Sequence, residues 1–133
     1  MRLCVDFEQI KEQIYPGPYA VNDSGIAVAT IADNRPNVGS EVRDIQPHGH
    51  GFYTDNHRAL TVTLLQPARA VEITTWLACD LELLDPTGAV IYATNVPASV
   101  REARFESAQV ETIGWLRLTA ISEFMLLSLC IES

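Results

Sequence analysis

Leu81-Glu-Leu-Leu-Asp85-Pro-Thr-Gly88-Ala-Val-Ile-Tyr-Ala-Thr94 is the stretch whose reading decides the fold. Asp85-Pro86-Thr87-Gly88 suits a type I turn, with Pro at the second position and Gly at the fourth. Leu81–Leu84 enters that turn and Ala89–Thr94 returns from it, so the segment predicts a β-hairpin. Outward from this hairpin the hydrophobic period is two nearly everywhere. Val71, Ile73, Thr75 and Leu77 oppose Glu72, Thr74 and Trp76, while Leu60, Val62 and Leu64 oppose Thr61 and Thr63. Such alternation is the mark of a strand with one buried face.

The same period recurs towards both ends. Leu3, Val5 and Phe7 alternate with Cys4, Asp6 and Glu8, and Gly25–Ile31 and Glu41–Ile45 read as further strands. Lys11–Ile14 reads as one helical turn. Tyr15-Pro16-Gly17-Pro18-Tyr19 then blocks both helix and central strand. Asn34-Arg35-Pro36-Asn37 is a loop, and Gln46–Arg58 is the longest irregular segment. After Val96-Pro97-Ala98, strands are expected at Val100–Ser107, Trp115–Ala120 and Met125–Ile131, with Ile121–Phe124 joining the last two. About eight or nine short strands with Gly/Pro turns, and no sustained 3.6-residue period, predict an all-β chain. The architecture expected is a two-sheet antiparallel β-sandwich of jelly-roll type.

Length and composition fit one domain over residues 1–133. Of 133 residues, 47% are hydrophobic and 20% charged, which excludes a disordered chain. Nine bases against 17 acids give a net charge of −8. The charge is dispersed with no basic patch, which excludes nucleic acid and anionic membrane surfaces as partners. No apolar run reaches the length of a membrane span, and Met1-Arg2 leads straight into a strand. The expected location is therefore cytoplasmic if the chain is full length, or extracellular if a signal peptide has been removed. Cys4, Cys79 and Cys130 allow one disulfide and one thiol, or three thiols; their spacing excludes CxxC sites.

Leu3-Cys4-Val5-Asp6-Phe7-Glu8 and the hairpin within Val71–Tyr92 resemble small bacterial jelly-roll domains. Those domains are similar to galactose-binding-like sandwiches and carbohydrate-binding modules. Their last strand commonly reads Ile-Asp-Asn-Leu-x-Phe, whereas here Leu126-Leu127-Ser128-Leu129-Cys130-Ile131 lacks the acid. The resemblance implies a fold more than a function. It also implies that the first and last strands lie side by side, bringing Cys4 near Cys130 as a disulfide.

Three kinds of site are expected. Modules of this kind hold sugars on planar rings, which makes Tyr15, Tyr19, Phe52, Tyr53 and Trp76 the candidate ligand-binding residues. A transition metal would use His48, His50, Asp55 and His57, whose order resembles the first metal motif of cupins. The ordinary alternative is a polar surface loop, made flexible by Gly49 and Gly51. Calcium would draw on Asp6, Glu8, Asp23, Asp33 and Asp44, which otherwise serve as strand-edge and turn carboxylates. Finally, Phe124–Ile131 is apolar on both faces. With Trp76, Trp115 and Leu84 it suggests one flat patch for self-association through Trp76, Trp115, Leu127 and Leu129.

No GxSxG motif, reactive Cys–His arrangement or phosphate-cradling glycine loop is present. A non-catalytic module binding a carbohydrate or a protein is thus the first expectation. A structural subunit of a homo-oligomer is the alternative, and a metal-dependent cupin-like enzyme ranks third.

Overall fold

The structure, a computed structural model, describes residues 1–36, 38–107 and 112–133; Asn37 of the expected loop lies outside them. Among the described residues, thirteen strands form two antiparallel sheets. The seven-stranded sheet runs β11 (Glu102–Glu106), β8 (Ala70–Trp76), β13 (Glu123–Glu132), β6 (Gly49–Asp55), β5 (Ser40–Ile45) and β2 (Gln13–Tyr15). β1 (Arg2–Asp6) pairs with the far half of β13, in line with β6. The six-stranded sheet runs β10 (Val90–Val96), β9 (Cys79–Leu84), β12 (Ile113–Ala120), β7 (Ala59–Ala68), β4 (Ile26–Asp33) and β3 (Tyr19–Asp23).

The core lies between the sheets. Phe7, Val28, Phe52, Leu60, Leu116 and Phe124 are wholly buried there. Each such side chain contributes roughly 1.5–3 kcal/mol relative to exposure. Alternation chose the buried face correctly in β8, where Val71, Ile73 and Thr75 are inside and Glu72, Thr74 and Trp76 only partly buried.

The hairpin of β9 and β10 closes as its sequence predicts. The Gly88 N–H donates to the Asp85 carbonyl at 2.9 Å. The Asp85 carboxylate accepts from the Thr87 hydroxyl at 2.6 Å and the Ala89 N–H at 3.0 Å. These bonds, the Thr87 hydroxyl foremost, hold the carboxyl below its ordinary range. Gly88 takes φ +91°, a conformation that favours glycine.

Three local expectations are corrected. Lys11–Ile14 makes no helical turn. The turn comes earlier, as a short 3₁₀ segment at Phe7–Gln9 whose Glu8 N–H donates to the Asp6 carboxylate. Second, the strand count exceeds eight or nine: besides the ten segments with a strand-like sequence, the short β2 and β3 and the glycine-rich β6 also pair in the sheets. Third, most of Gln46–Arg58 is strand β6, wedged between β5 and β13. Its glycines are packing residues, not hinges. A Cβ on Gly51 would lie 2.1 Å from the Leu126 carbonyl oxygen, and one on Gly49 would lie 2.7 Å from Leu127 Cδ2.

Cys4 and Cys130 face each other in the β1–β13 register and are joined as a disulfide. The Cys4 N–H donates to the Asp23 carboxylate at 3.0 Å, tying β1 to β3 of the opposite sheet. Cys79 is a buried free thiol, pushed up to about 12 by burial and by Asp80. Thiol titration of the native protein should therefore find no fast-reacting cysteine. After denaturation it should find one thiol without reductant and three with it; three without reductant would contradict the Cys4–Cys130 bond.

Candidate functional site

The outer face of the seven-stranded sheet carries the site. Strand alternation points Glu72, Thr74 and Trp76 outward from β8. The register sets Glu102 and Ser128 on either side of Thr74, and Arg104 and Cys130 on either side of Glu72. Asp6 extends the first row and Cys4 the second. These rows floor a shallow trough. A hollow of about 380 Å³ is lined by Glu72, Thr74, Glu102, Arg104, Ser128 and Cys130. A second hollow of about 250 Å³ adjoins it through Thr74 and Ser128, and takes in Asp6, Glu8, His50 and Arg101.

The trough has one rigid flank and several free polar groups. Arg104 bonds Glu72 at 2.8 Å and Glu106 at 2.9 Å, and also Glu132; Arg2 meets Glu72 at 2.5 Å. The hydrogen bonds from Arg2 and Arg104 lower the Glu72 carboxyl to about 2, so it stays ionised across the neutral range. Surface pairs of this kind add little stability, but they fix side-chain positions. Thr74, Ser128 and Glu102, among the described residues, have no side-chain hydrogen bond within the chain. They are open to a ligand.

Beyond Thr74 on the same face lies Trp76, opposite Met125. Met125, Tyr53 and Leu127 form a small apolar layer outside the sheet, with Ile45 and Trp76 packed on it. Alternation turns Leu127 to this side, and a bulge in β13 after Leu126 turns Ser128 to it as well. The exposed imidazole of His48 stacks on the Trp76 indole, with centroids 4.7 Å apart. The Arg101 guanidinium donates to the His48 carbonyl at 2.7 Å and places the Pro97–Arg101 turn beside the trough.

Of the rings proposed for a ligand, only Trp76 is on the trough's face; it lines neither hollow but follows Thr74 two residues on, under the His48 imidazole. Phe52 is wholly buried and Tyr53 is 2% exposed, so neither offers a face to a sugar. They differ in where they are buried: Phe52 points into the main core and Tyr53 into the outer layer. The Arg43 guanidinium lies 3.7 Å above the Tyr53 ring. The Tyr53 hydroxyl is raised well above its ordinary value, by burial first and then by its bond to Glu123. Tyr15 and Tyr19 pack against each other at 4.7 Å, and Tyr19 meets Phe52 at 5.7 Å, closing one end of the core.

The four residues proposed as transition-metal ligands do not converge. His48 lies on Trp76, and His50 Nε2 donates to the Ile10 carbonyl at 2.5 Å. Asp55 accepts from Arg58 at 3.2 Å and from Tyr53. His57 sits in the turn beyond β6, the length of a seven-residue strand from His50. The calcium candidates are also dispersed. Asp6, which caps the 3₁₀ turn, and Glu8 share the second hollow, but Asp23 holds Cys4, Asp33 is buried against Arg35 at 3.1 Å, and Asp44 binds Gln46. Among the described residues, no three His, Cys, Asp or Glu side chains are grouped to hold a metal ion.

The single apolar patch expected for self-association is also corrected. Trp76 lies on β8 and Trp115 on β12, so the two are on opposite outer faces of the sandwich. Leu129 is wholly buried in the main core and Leu127 in the outer layer. Neither is available to a partner.

No family model and no curated protein matches the chain. Solved structures do. A low-affinity xylan-binding module of family CBM86 from the gut symbiont Roseburia intestinalis aligns over 99% of this chain and 95% of its own, with TM-score 0.55 at 8% identity. A variant of a family 29 carbohydrate-binding module covers 91% and 89%, with TM-score 0.54 at 4% identity. A family 6 module covers 97% and 92%, with TM-score 0.50 at 10% identity. The chain shares the fold of carbohydrate-binding modules. At such identities the likeness concerns the fold alone.

The trough residues Glu72, Thr74, Glu102, Arg104 and Ser128 escaped the sequence reading. Their signal was their outward position on β8, β11 and β13. It becomes a site only when those three strands are known to be neighbours. No helix is long and apolar enough to cross a membrane among the described residues.

Proposed function

We propose that this chain is a non-catalytic jelly-roll module that binds a carbohydrate in the trough across β11, β8 and β13. The observation that carries the reading is the trough itself. Its free hydroxyls and carboxylate line the hollow, in a fold shared with carbohydrate-binding modules. Hydroxyl-rich ligands are recognised by such polar groups at fixed spacing, with an aromatic ring taking the apolar face of the sugar. Thr74, Ser128, Glu102 and Arg101 would exchange hydrogen bonds with sugar hydroxyls. The Glu72–Arg104 pair would form a rigid wall, and Trp76 would close one end. Acids outnumber bases in the lining, which favours neutral sugars over acidic ones.

The test is calorimetric titration with soluble xylan, β-glucan and mannan oligosaccharides. At least one is expected to bind. Trp76→Ala should weaken that binding about 10- to 30-fold, while Trp115→Ala, on the opposite sheet, should leave it unchanged. Absence of binding across the panel, or binding indifferent to Trp76→Ala, would count against this site.

A further inference from the structure

A sheet edge presents unpaired N–H and C=O groups, and proteins usually protect such edges with charge, shortness or a cover. Most edges here are protected. β11 carries Glu102, Arg104 and Glu106. β2 is three residues long and is followed by Pro16. β1 bears Arg2 and Asp6, and its Cys4 N–H bonds to Asp23 of β3, so these two edges shield each other.

β10 is different. Its seven residues, Val90-Ile-Tyr-Ala-Thr-Asn-Val96, include no charge, proline or glycine. Among the described residues it pairs on one side only, with β9. Val90 is 50% exposed and Tyr92 48%. Behind the edge Val90 stands opposite the buried Leu84, and Leu84 opposite the half-buried Trp115.

We infer that β10 is a self-pairing edge, through which two copies of this chain join antiparallel into one continuous twelve-stranded sheet. The occupant is a second copy because an antiparallel edge is complementary to itself under a two-fold rotation. Centred on Ala93, that rotation sets Ala93 against its own counterpart and Tyr92 against Thr94 of the other copy. Charge points the same way. A chain of net charge −8 repels its copy over most of its surface, but β10 is uncharged. In the strand behind it Glu82 pairs with Arg117 at 3.0 Å, and Asp80 accepts from the Asn95 amide of β10 at 3.1 Å. The rotation axis is perpendicular to the joined sheet, so both copies keep the same face on the same side. Their troughs then open together, which would give a polymeric ligand two points of attachment. The pairing stands or falls independently of what the trough binds.

Sedimentation velocity between about 1 μM and 1 mM tests it. The wild-type chain is expected to shift from monomer to dimer. Ala93→Lys, a substitution at an exposed position, places like charges opposite each other and should weaken the dimer at least about tenfold. Ala93→Cys should form a covalent dimer on mild oxidation, because Cys79 is buried and Cys4 and Cys130 are joined. A monomer at every concentration overturns the inference. So does a dimer that survives Ala93→Lys but dissolves with Trp115→Lys, which would assign the contact to the sheet face.

Discussion

Reducing the Cys4–Cys130 bond is expected to cost this protein about 4 kcal/mol of stability, the largest effect of any change considered. The two cysteines are 126 residues apart, so the bond closes nearly the whole chain into one ring. A ring of that size removes unfolded-state entropy equivalent to about 5 kcal/mol at 25 °C, and native disulfides contribute roughly 2–5 kcal/mol. Most of the folded structure should survive reduction. Leu3 and Val5 remain in the core, and Arg2 still bridges Glu72 and Glu132. What changes is the competing state, which becomes an open chain with far more conformations. The melting temperature of the reduced protein should fall by about 10–15 °C. Urea unfolding with and without reductant measures the difference. Cys4→Ser/Cys130→Ser should reproduce the reduced curve, whereas the same double variant unfolding at the oxidised midpoint would refute the expectation.

Gly51→Ala is expected to cost about 3 kcal/mol or more, although it adds a single methyl group. That methyl would lie 2.1 Å from the Leu126 carbonyl oxygen and 3.1 Å from Leu127 Cα. Both are backbone atoms of β13, which is held by β8 on its other side. A side chain in that place could swing aside, but a central strand cannot. Relief would require breaking the β6–β13 ladder near the Leu126–Phe52 pair and shifting Phe52, which is wholly buried. Overpacking a rigid core typically costs 1–3 kcal/mol, and more where backbone must move. Gly17→Ala is the control, because its added Cβ meets nothing within 4 Å. It should change stability by less than about 1 kcal/mol. Chemical denaturation of both variants gives the comparison; similar midpoints would show that β13 yields at this point.

Gly51 also shows where sequence reading stopped. In Gln46–Arg58 the glycines, the histidines and one proline carry the signature of a loop. Gly49 and Gly51 occur in a strand because β13 lies so close that a side chain is excluded. Closeness between residues 51 and 126 leaves no local trace in either segment. The adjacent Phe52 and Tyr53 break the period of two for a related reason. Both are buried, but in different layers, one inside the sandwich and one under Arg43 on its outer face. The excess of apolar residues in the last strand has the same origin. Met125 and Leu127 belong to that outer layer and leave no free patch.

By itself the sequence determined the two-residue period, the turn at Asp85–Gly88, the inward and outward faces of β8 and the all-β class. Each of these depends on interactions between near neighbours along the chain, on which side-chain alternation and turn chemistry act directly. Tertiary structure alone decided that β11, β8 and β13 are neighbours, and so that Glu102, Thr74 and Ser128 share one trough. It also decided that Trp76 and Trp115 face opposite ways. Alternation tells whether a residue points out of its sheet, but not which of two sheets holds the strand. That choice rests on contacts between residues far apart in sequence, which form only when the whole chain packs.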